Sequence, residues 1–478
     1  MSLIGREKEK KEFLDLMNSD KSELVAVYGR RRVGKTFLIN ELFLNNMAFK
    51  HTGLSPEETK LSNYSRLETQ LKAFHSSLLL AGEINKNQPK DWNEAFLRLI
   101  KLLESKNQDG RLVVFLDEFP WMDTPKSGFV AAFSWFWNNW ACTRNNLMVI
   151  VCGSSSSWII NNLINAHGGL YNRLTYSIRL SPLSLHECRE FFLAKGINLP
   201  LYTIASIYMV FSGIPYYLNY YDPSLSLNEN IDKLFVAKDA KLSLEYNNLF
   251  EASFTDKKTS KDIVNFLAKR TGGYTRKELL EGLGISDGLY ITKALSSLEN
   301  SDFILKYIPY KGNGKEKCYK VIDPFCLFYL KHISNKQSLS DNIFNENVIN
   351  SWVGPAFENL CYNHLDVIKK RLGISQVQTM QFSWLMPKED NKHGSQIDLV
   401  IERKDKIINL CEMKFYQKEY EMNTEAHINL MNKIDRLVAA SNKKTSHIVP
   451  VLITTFGLKR TEYWSDYKMV ITLEDLFN

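Results

Sequence analysis

Short apolar runs alternate with amphipathic stretches in the first part of the chain. The runs occupy residues 24–28, 112–116 and 147–152 and are dominated by Val, Leu, Ile and Phe. Apolar runs of this length are typical of strands that are buried on both faces of a parallel sheet. Residues 36–43 place apolar side chains at helical spacing directly after the first run. The pattern therefore predicts an α/β fold for this part of the chain.

Two further helices are predicted around these strands. Residues 129–140, FVAAFSWFWNNW, carry aromatic side chains at helical spacing, and residues 4–16 form a shorter amphipathic pattern. An aromatic face of this kind is suited to packing in a core or to stacking on a planar ligand. Packing is the interpretation that we favour.

The pattern changes after Lys261. It predicts three helices and then two strands, over residues 262–270, 277–281, 288–299, 304–310 and 318–322. Thr275 and Glu278 have the spacing of a capping box for the second helix. The polar loop 311–315 between the two strands is suited to a hairpin. Three helices followed by a hairpin predict a winged helix.

Two roles for this winged helix are open. It binds DNA with its third helix in the major groove, or it is a lid or docking surface. The third helix offers Lys293 and Tyr290 and little else that is basic. Phosphate contacts from the lysines of loop 311–315 are therefore the favoured form of any DNA contact.

The last part of the chain has its own pattern after a linker over 334–350. Pro355 suits the first turn of a helix that runs to about Arg371. Residues 396–402 and 407–415 alternate apolar and polar side chains and are predicted to be strands, and a helix is expected over 426–440.

Composition limits the class of protein. A chain of 478 residues with 44% hydrophobic residues suggests about three ordinary domains. Nothing approaches 18 consecutive apolar residues, and the start has no signal-like run, so we expect a cytoplasmic protein without membrane contact. Seven cysteines without a C-x-x-C pair favour reduced thiols. The net charge of +7 is a mild indication of an anionic partner.

The first strand runs into the pattern G-x-x-x-x-G-K-T. Such a turn folds backbone N–H groups around phosphate, and glycine tolerates that geometry best. Lys35 would reach the β- and γ-phosphates of ATP, and the Thr36 hydroxyl would bind Mg²⁺. The predicted phosphate-binding residues are Gly29, Arg30, Arg31, Arg32, Val33, Gly34, Lys35 and Thr36.

The second apolar run ends in Asp117 and Glu118. In phosphoryl chemistry, an acid at a strand end holds Mg²⁺ through the coordination shell of the ion. The next acid orients the attacking water. Capping of a strand by an acid pair is the alternative. Together with the phosphate loop, the pair predicts Asp117 as a metal-binding residue and Glu118 as a catalytic one.

Three segments in this order resemble archaeal-type ATPases of the AAA+/STAND group. They are IGREKEKKEF at 4–13, the stretch 169–183 with GLYNR and IRLSPL, and SGIPY at 212–216. The resemblance covers about residues 4–220. It implies nucleotide contacts for Gly5, Arg6, Ser154, Gly213 and Pro215, and a catalytic role for Arg173. An ordinary surface ion pair is the alternative for Arg173, and Asn172 stands where the family has glycine.

The two C-terminal strands carry a second candidate site. A hairpin centred on Asp405 would place Asp398 opposite Glu412, with Lys414 on the same face. Facing carboxylates are costly without a cation, and Mg²⁺ accepts such oxygens. The pattern D…E-x-K lies between a helix bearing Glu358 and the helix at 426–440, and it resembles the PD-(D/E)xK nuclease superfamily. The leading Pro-Asp pair of that superfamily is absent, because Ile397 precedes Asp398. A solvated charged hairpin is the alternative.

Together these observations predict an α/β fold class: a P-loop NTPase parallel sheet, a helical and winged-helix region, and an α/β restriction-endonuclease-like domain. The expected domains are 1–220, 221–335 and 351–478. The resemblances imply an ATP-hydrolysing switch that controls a nuclease-like domain acting on nucleic acid, DNA more than RNA. The alternative is a non-nucleolytic regulator that binds DNA or protein.

The expected cofactors are ATP with Mg²⁺ at the first site and Mg²⁺ or Mn²⁺ at the second. An oligomer is compatible with the sequence. The residues expected to bind metal are Thr36, Asp117, Glu358, Asp398 and Glu412. The residues expected to be catalytic are Glu118, Arg173, Asp398, Glu412 and Lys414.

Overall fold

The computed structural model describes residues 3–62, 64–106, 110–254, 256–308, 317–334, 346–386, 395–440 and 447–478. They form two compact units. The first consists of Met1–Pro182 with Asn248–Thr255, and the second of Leu183–Asn247 with Asp256–Asn478.

A parallel five-stranded sheet organises the first unit. Its strands are β1 (Glu23–Tyr28), β2 (Met47–Thr52), β3 (Leu112–Asp117), β4 (Leu147–Gly153) and β5 (Tyr176–Arg179). They lie in the order β2-β3-β4-β1-β5, and all neighbours are parallel. β3 and β4 are buried along their whole length, as is β1 up to its last residue. This burial explains the continuous apolar runs and confirms the three predicted strands.

Helices surround this sheet. They span Glu7–Met17, Lys35–Phe43, Pro56–Lys60, Arg66–Leu80, Trp92–Ser105, Phe119–Met122, Phe129–Asn139 and Ser156–Ile159. The aromatic side chains of Phe129–Asn139 pack in the core, with Phe129 4.8 Å from Phe119 and Phe136 5.3 Å from Phe96 between ring centroids. The packing interpretation of this helix is confirmed.

The first helix begins later than its pattern predicts. Gly5 and Arg6 have φ angles of 65° and 61°, in the left-handed region. A right-handed helix cannot include such residues, so it begins at Glu7.

The second unit begins with a mainly helical region. Its helices span Leu185–Ala194, Leu201–Phe211, Pro215–Leu218, Leu227–Ile231, Lys257–Leu267, Arg276–Leu283, Leu289–Asn300 and Pro324–Phe328, and the helix Glu245–Ser253 crosses the boundary between the units. The strands β6 (Tyr274–Thr275), β7 (Ile304–Tyr307) and β8 (Cys318–Val321) form an antiparallel sheet in the order β6-β8-β7. The predicted capping box of Thr275 and Glu278 is present. The loop 311–315 lies outside the described residues.

A mixed sheet organises the rest of the second unit. Its strands are β9 (Thr379–Met386), β10 (Ser395–Arg403), β11 (Ile407–Lys414), β12 (His447–Thr454) and β13 (Met469–Ile471). Their order is β13-β12-β11-β10-β9, antiparallel from β9 to β11 and parallel from β11 to β13. The accompanying helices span Glu346–Asn363, Leu365–Arg371, Thr424–Ala440 and Leu473–Leu476.

The prediction that Pro355 starts a helix is wrong. Pro355 lies inside the helix Glu346–Asn363, where a proline removes one backbone hydrogen bond and crowds the preceding turn. Trp352 and Phe357, on either side of it, are both buried. Burial of the apolar face on both sides of the proline keeps the helix continuous.

Gly213 provides a test of the packing in the second unit. A Cβ atom at this position would lie 1.9 Å from the carbonyl oxygen of Leu183, whose N–H donates to the Gly213 carbonyl at 2.6 Å. We expect Gly213→Ala to lower the free energy of unfolding by about 2 kcal/mol, because backbone must move. Gly354→Ala is the matched control. It lies in a helix with open space around it and should change the free energy of unfolding by less than about 1 kcal/mol, because the gain in helix propensity is offset by crowding against Pro355. Equal denaturation midpoints for the two variants would contradict this account.

Candidate functional site

The first candidate site lies where three strands end. β1 leads into the loop that begins at Gly29, β3 ends at Asp117, and β4 is followed by Ser154. Because β3, β4 and β1 are adjacent and parallel, their carboxyl ends meet at one edge of the sheet. That edge is the usual ligand-binding edge of an open α/β sheet.

The loop after β1 has the backbone that phosphate binding needs. Gly29 has φ 142°, and a Cβ there would lie 2.2 Å from the Leu180 carbonyl oxygen. Gly34 has φ 94° with open space where a Cβ would point. Arg32 also adopts a left-handed conformation. Alternation of such conformations turns successive N–H groups toward a common anion.

Two side chains at the start of the next helix face this loop and the end of β3. The Lys35 ammonium donates to the carbonyl oxygens of Gly29 and Arg30, at 2.9 Å each, and is itself buried. The Thr36 hydroxyl donates to Oδ2 of Asp117 at 2.8 Å. The structure thus brings Lys35, Thr36 and Asp117 together.

The other predicted residues around the loop differ in their surroundings. Arg6 donates to the carbonyls of Val33, at 3.3 Å, and Ser181, at 2.7 Å, so it fastens the chain after Gly5 to the loop. Arg30 and Val33 are buried, and Arg31 donates to the Asn248 carbonyl at 3.4 Å. Arg6 and Val33 therefore support the shape of the loop.

Glu118 lies directly beyond Asp117 with φ 45°. Its Oε2 accepts hydrogen bonds from the Ser154 N–H, at 3.2 Å, and the Ser154 hydroxyl, at 3.0 Å. Burial raises the pKa of the Glu118 carboxyl; Lys35 opposes this shift and Asp117 adds to it. A buried carboxylate with a raised pKa is suited to accept a proton from water.

The remaining residues predicted for this site are not brought to it in the same way. Arg173 lies in an exposed turn, and within the described residues its side chain makes no hydrogen bond or ion pair. The preceding Asn172 has φ 52°, which asparagine tolerates, so it can replace a glycine there. Gly213 and Pro215 belong to the second unit, and their nucleotide contacts stay predictions.

The donor set at this site fits a magnesium nucleotide. The open space in front of Gly34 and the buried Lys35 ammonium suit a phosphate chain. A hydroxyl and a carboxylate in contact, Thr36 and Asp117, are the oxygen groups that Mg²⁺ uses beside phosphates.

The second candidate site lies on β10 and β11. Leu399 pairs with Cys411 and Val400 with Leu410, so the same register places Asp398 opposite Glu412. The Met413 N–H donates to Oδ2 of Asp398 at 3.0 Å. The hairpin therefore has the register that the sequence predicts.

Two lysines face Glu412, of which sequence reasoning identified only one. Lys433, from the helix Thr424–Ala440, donates to Oε1 at 2.6 Å, and the Lys414 ammonium lies 3.7 Å from Oε2. Burial raises the pKa of Glu412, and Asp398 adds to this shift, while the two lysines oppose it. A lysine within the predicted helix 426–440 was the available signal, but the pattern did not show which way it faces.

Glu358 and a further lysine complete the cluster. Burial raises the pKa of Glu358, and so does Asp398, while Lys320 and Lys414 lower it. Lys320 belongs to β8 and is buried. Sequence reasoning missed it because the contact joins distant segments. We refer to Glu358, Asp398, Glu412, Lys320, Lys414 and Lys433 as the acid–lysine cluster.

As arranged, this cluster does not fit a divalent ion. Both carboxylate oxygens of Glu412 face ammonium groups, and one oxygen of Asp398 accepts a main-chain N–H. Across the described part of the chain, no three His, Cys, Asp or Glu side chains are grouped to hold a metal ion. The metal roles of Glu358, Asp398 and Glu412 stay predictions.

Comparison with known proteins supports an ATPase assignment for the first part of the chain. Residues 3–221 match the family described as an ATPase domain predominantly from Archaea. The chain is 26% identical over 421 residues to uncharacterized protein MJECL04 of Methanocaldococcus jannaschii, covering 86% of this chain and 87% of that protein. Residues 3–221 are therefore similar to an archaeal-type ATPase domain.

Two solved structures are similar at lower levels. The Walker-type ATPase PABY2304 of Pyrococcus abyssi has a TM-score of 0.49 and 19% identity, covering 69% of this chain and 96% of that one. The ORC2 protein of Aeropyrum pernix has a TM-score of 0.40 and 12% identity, covering 69% of this chain and 93% of that one.

Among the helices that the structure describes, none is both long and apolar enough to cross a bilayer.

Glu118 yields a prediction about stability. Its raised pKa means that the folded state is favoured while the carboxyl is protonated, and this contribution is lost as the pH rises through the folded-state pKa. We expect Glu118→Gln to raise the thermal midpoint by a few degrees at neutral pH, because the amide keeps the shape without the buried charge. The gain should vanish near the ordinary pKa of 4.5. Calorimetry across this pH range measures it, and a gain that does not change with pH would contradict the account.

Proposed function

We propose that the chain is an ATP-binding and ATP-hydrolysing switch whose ATPase domain controls a C-terminal nuclease-like domain acting on nucleic acid. The observation that carries the first half is the contact between Thr36 and Asp117 beside the buried Lys35. The match of residues 3–221 to an ATPase family supports it.

The residues of the first site have distinct roles in this proposal. Lys35 exchanges its carbonyl partners for the β- and γ-phosphates. Thr36 and Asp117 would hold Mg²⁺, which would supply positive charge against that developing on the transferred phosphoryl group. Glu118 orients the attacking water and takes its proton, and Ser154 fixes the Glu118 carboxylate until nucleotide arrives. Arg173 would add positive charge from its turn.

The second half of the proposal rests on Asp398, Glu412 and Lys414. They occupy adjacent strands in the order and register that the PD-(D/E)xK resemblance implies. The helical region 221–335, with its winged helix, lies between the ATPase domain and the domain 351–478 in the sequence. Nucleic acid, DNA more than RNA, is the proposed partner, and the net charge of +7 is compatible with it.

A non-nucleolytic regulator is the second candidate. It is favoured by the acid–lysine cluster, in which ammonium groups already balance Glu412. In that case ATP would switch the binding of DNA or protein rather than cleavage.

The nucleotide role is tested by a pair of variants. Lys35→Ala should weaken ATP binding on the order of a hundredfold, because a buried charge that meets the phosphates is lost. Glu118→Gln should bind ATP like the parent and hydrolyse it slower by about a hundredfold or more. Calorimetric titration and phosphate release measure these effects. Parental ATP affinity in Lys35→Ala would refute the phosphate-loop assignment.

The nuclease-like role is tested with DNA and RNA substrates in the presence of ATP and Mg²⁺ or Mn²⁺. Asp398→Asn and Lys414→Ala should each reduce cleavage by roughly a hundredfold or more, while ATP hydrolysis persists in the other unit. Asp366→Asn, which changes an exposed acid of the same unit, is the matched control and should cut at the parent rate. Cleavage by Lys414→Ala at the parent rate, or no cleavage by the parent, would favour the regulator.

A further inference from the structure

Lys320 is a buried lysine outside the predicted catalytic residues. It lies in β8, the central strand of the sheet β6-β8-β7, with 4% of its surface exposed. Its neighbours Tyr319 and Val321 are buried as well. An ammonium group that leaves water in this way needs compensating negative charge nearby.

The surroundings of Lys320 belong to the C-terminal segments of the same unit. Its ammonium lies 3.5 Å from the ring centroid of Tyr362, at the distance of a cation–π contact. The Tyr362 hydroxyl donates to the main-chain carbonyl of Asp398 at 2.8 Å. Glu358 lies one helical turn before Tyr362 on the same face of its helix. Tyr362 therefore links Lys320 to the main chain at Asp398.

The carboxylates of this cluster differ in the lysines around them. Glu412 faces Lys414 and Lys433, which both come from the C-terminal segments. Glu358 and Asp398 interact with Lys320 from β8 and also with Lys414. Within the described residues, Lys320 makes no direct ion pair with them, so it acts across the buried interior, where charges interact more strongly than in water.

Burial lowers the pKa of Lys320, and Glu358 and Asp398 oppose that shift. Burial is the larger effect, so the pKa of Lys320 is lowered overall, and the two carboxylates make the shift smaller than burial alone would.

We infer that Lys320 is a built-in counter-ion of Glu358 and Asp398, through which β8 holds the acid–lysine cluster in a form that excludes divalent cations. The inference concerns the charge balance of the cluster. It goes beyond the proposed function, and it holds whether or not the domain cuts nucleic acid.

The experiment is a titration of the nucleotide-free chain of 478 residues with Mn²⁺, followed by electron paramagnetic resonance. Lys320→Met keeps the aliphatic volume and removes the charge. We expect it to bind an additional Mn²⁺ at least about tenfold more tightly than the parent does. The additional binding should disappear in Lys320→Met/Asp398→Asn, which separates it from binding at the ATPase site. Binding of Mn²⁺ by Lys320→Met that equals the parent's would overturn the inference.

Two control variants separate charge from packing. Lys320→Arg keeps the charge and should bind Mn²⁺ like the parent, as should Lys293→Met, which removes an exposed lysine in the same helical region. If either variant gained the additional site, the inference would fail.

A thermal-stability cycle covers the case in which Lys320→Met folds poorly. Glu358→Gln removes one carboxylate that Lys320 balances, so the double variant Lys320→Met/Glu358→Gln should have a higher thermal midpoint than Lys320→Met. Additive effects of the two changes would show that they are uncoupled and would overturn the inference. The cycle does not depend on nuclease activity, so a failed cleavage assay leaves its outcome unaffected.

Discussion

The loss of hydration by buried charges is the constraint that shapes both candidate sites. An isolated carboxylate or ammonium group inside a protein costs several kilocalories per mole, a large share of the net stability of a domain. The fold meets this cost with local partners. At the first site Lys35 lies on loop carbonyls, Thr36 donates to Asp117, and Ser154 donates to Glu118. At the second site the partners are lysines.

This difference in partners separates the two sites chemically. The partners of Lys35 are neutral carbonyls, which leave its positive charge available to an incoming phosphate. The partners of Glu412 are ammonium groups that already neutralise it. One site is prepared for a charged ligand, and the other is balanced within the protein.

Much of the first site is predictable from sequence because its parts are local. Residues 29–36 are contiguous in the sequence. The apolar run that ends in Asp117 and Glu118 can be recognised as a strand without knowledge of the strands beside it in the sheet. The register of Asp398 and Glu412 is also local, because a short hairpin fixes it. The contact between Ser154 and Glu118 was not evident, since it depends on the order of strands across the sheet.

The parts that could not be predicted depend on distant segments. The strand 318–322 was predicted, but nothing in it indicates that Lys320 lies near Glu358. The helix around Pro355 continues because of burial against other elements, which overrides the local preference of proline. The roles implied by resemblance for Arg173, Gly213 and Pro215 concern a ligand rather than the fold, so they stay predictions.

The position of Lys320 also bears on how this chain can evolve. The carboxylates that it balances come from the helix Glu346–Asn363 and from β10, and the lysine comes from β8. Recombination that joined this C-terminal sheet to an unrelated helical region would remove one of the two lysines that balance these buried carboxylates. Exchange of the two segments as one piece would keep the balance. We therefore expect the helical region that contains β8 and the C-terminal sheet to be inherited together.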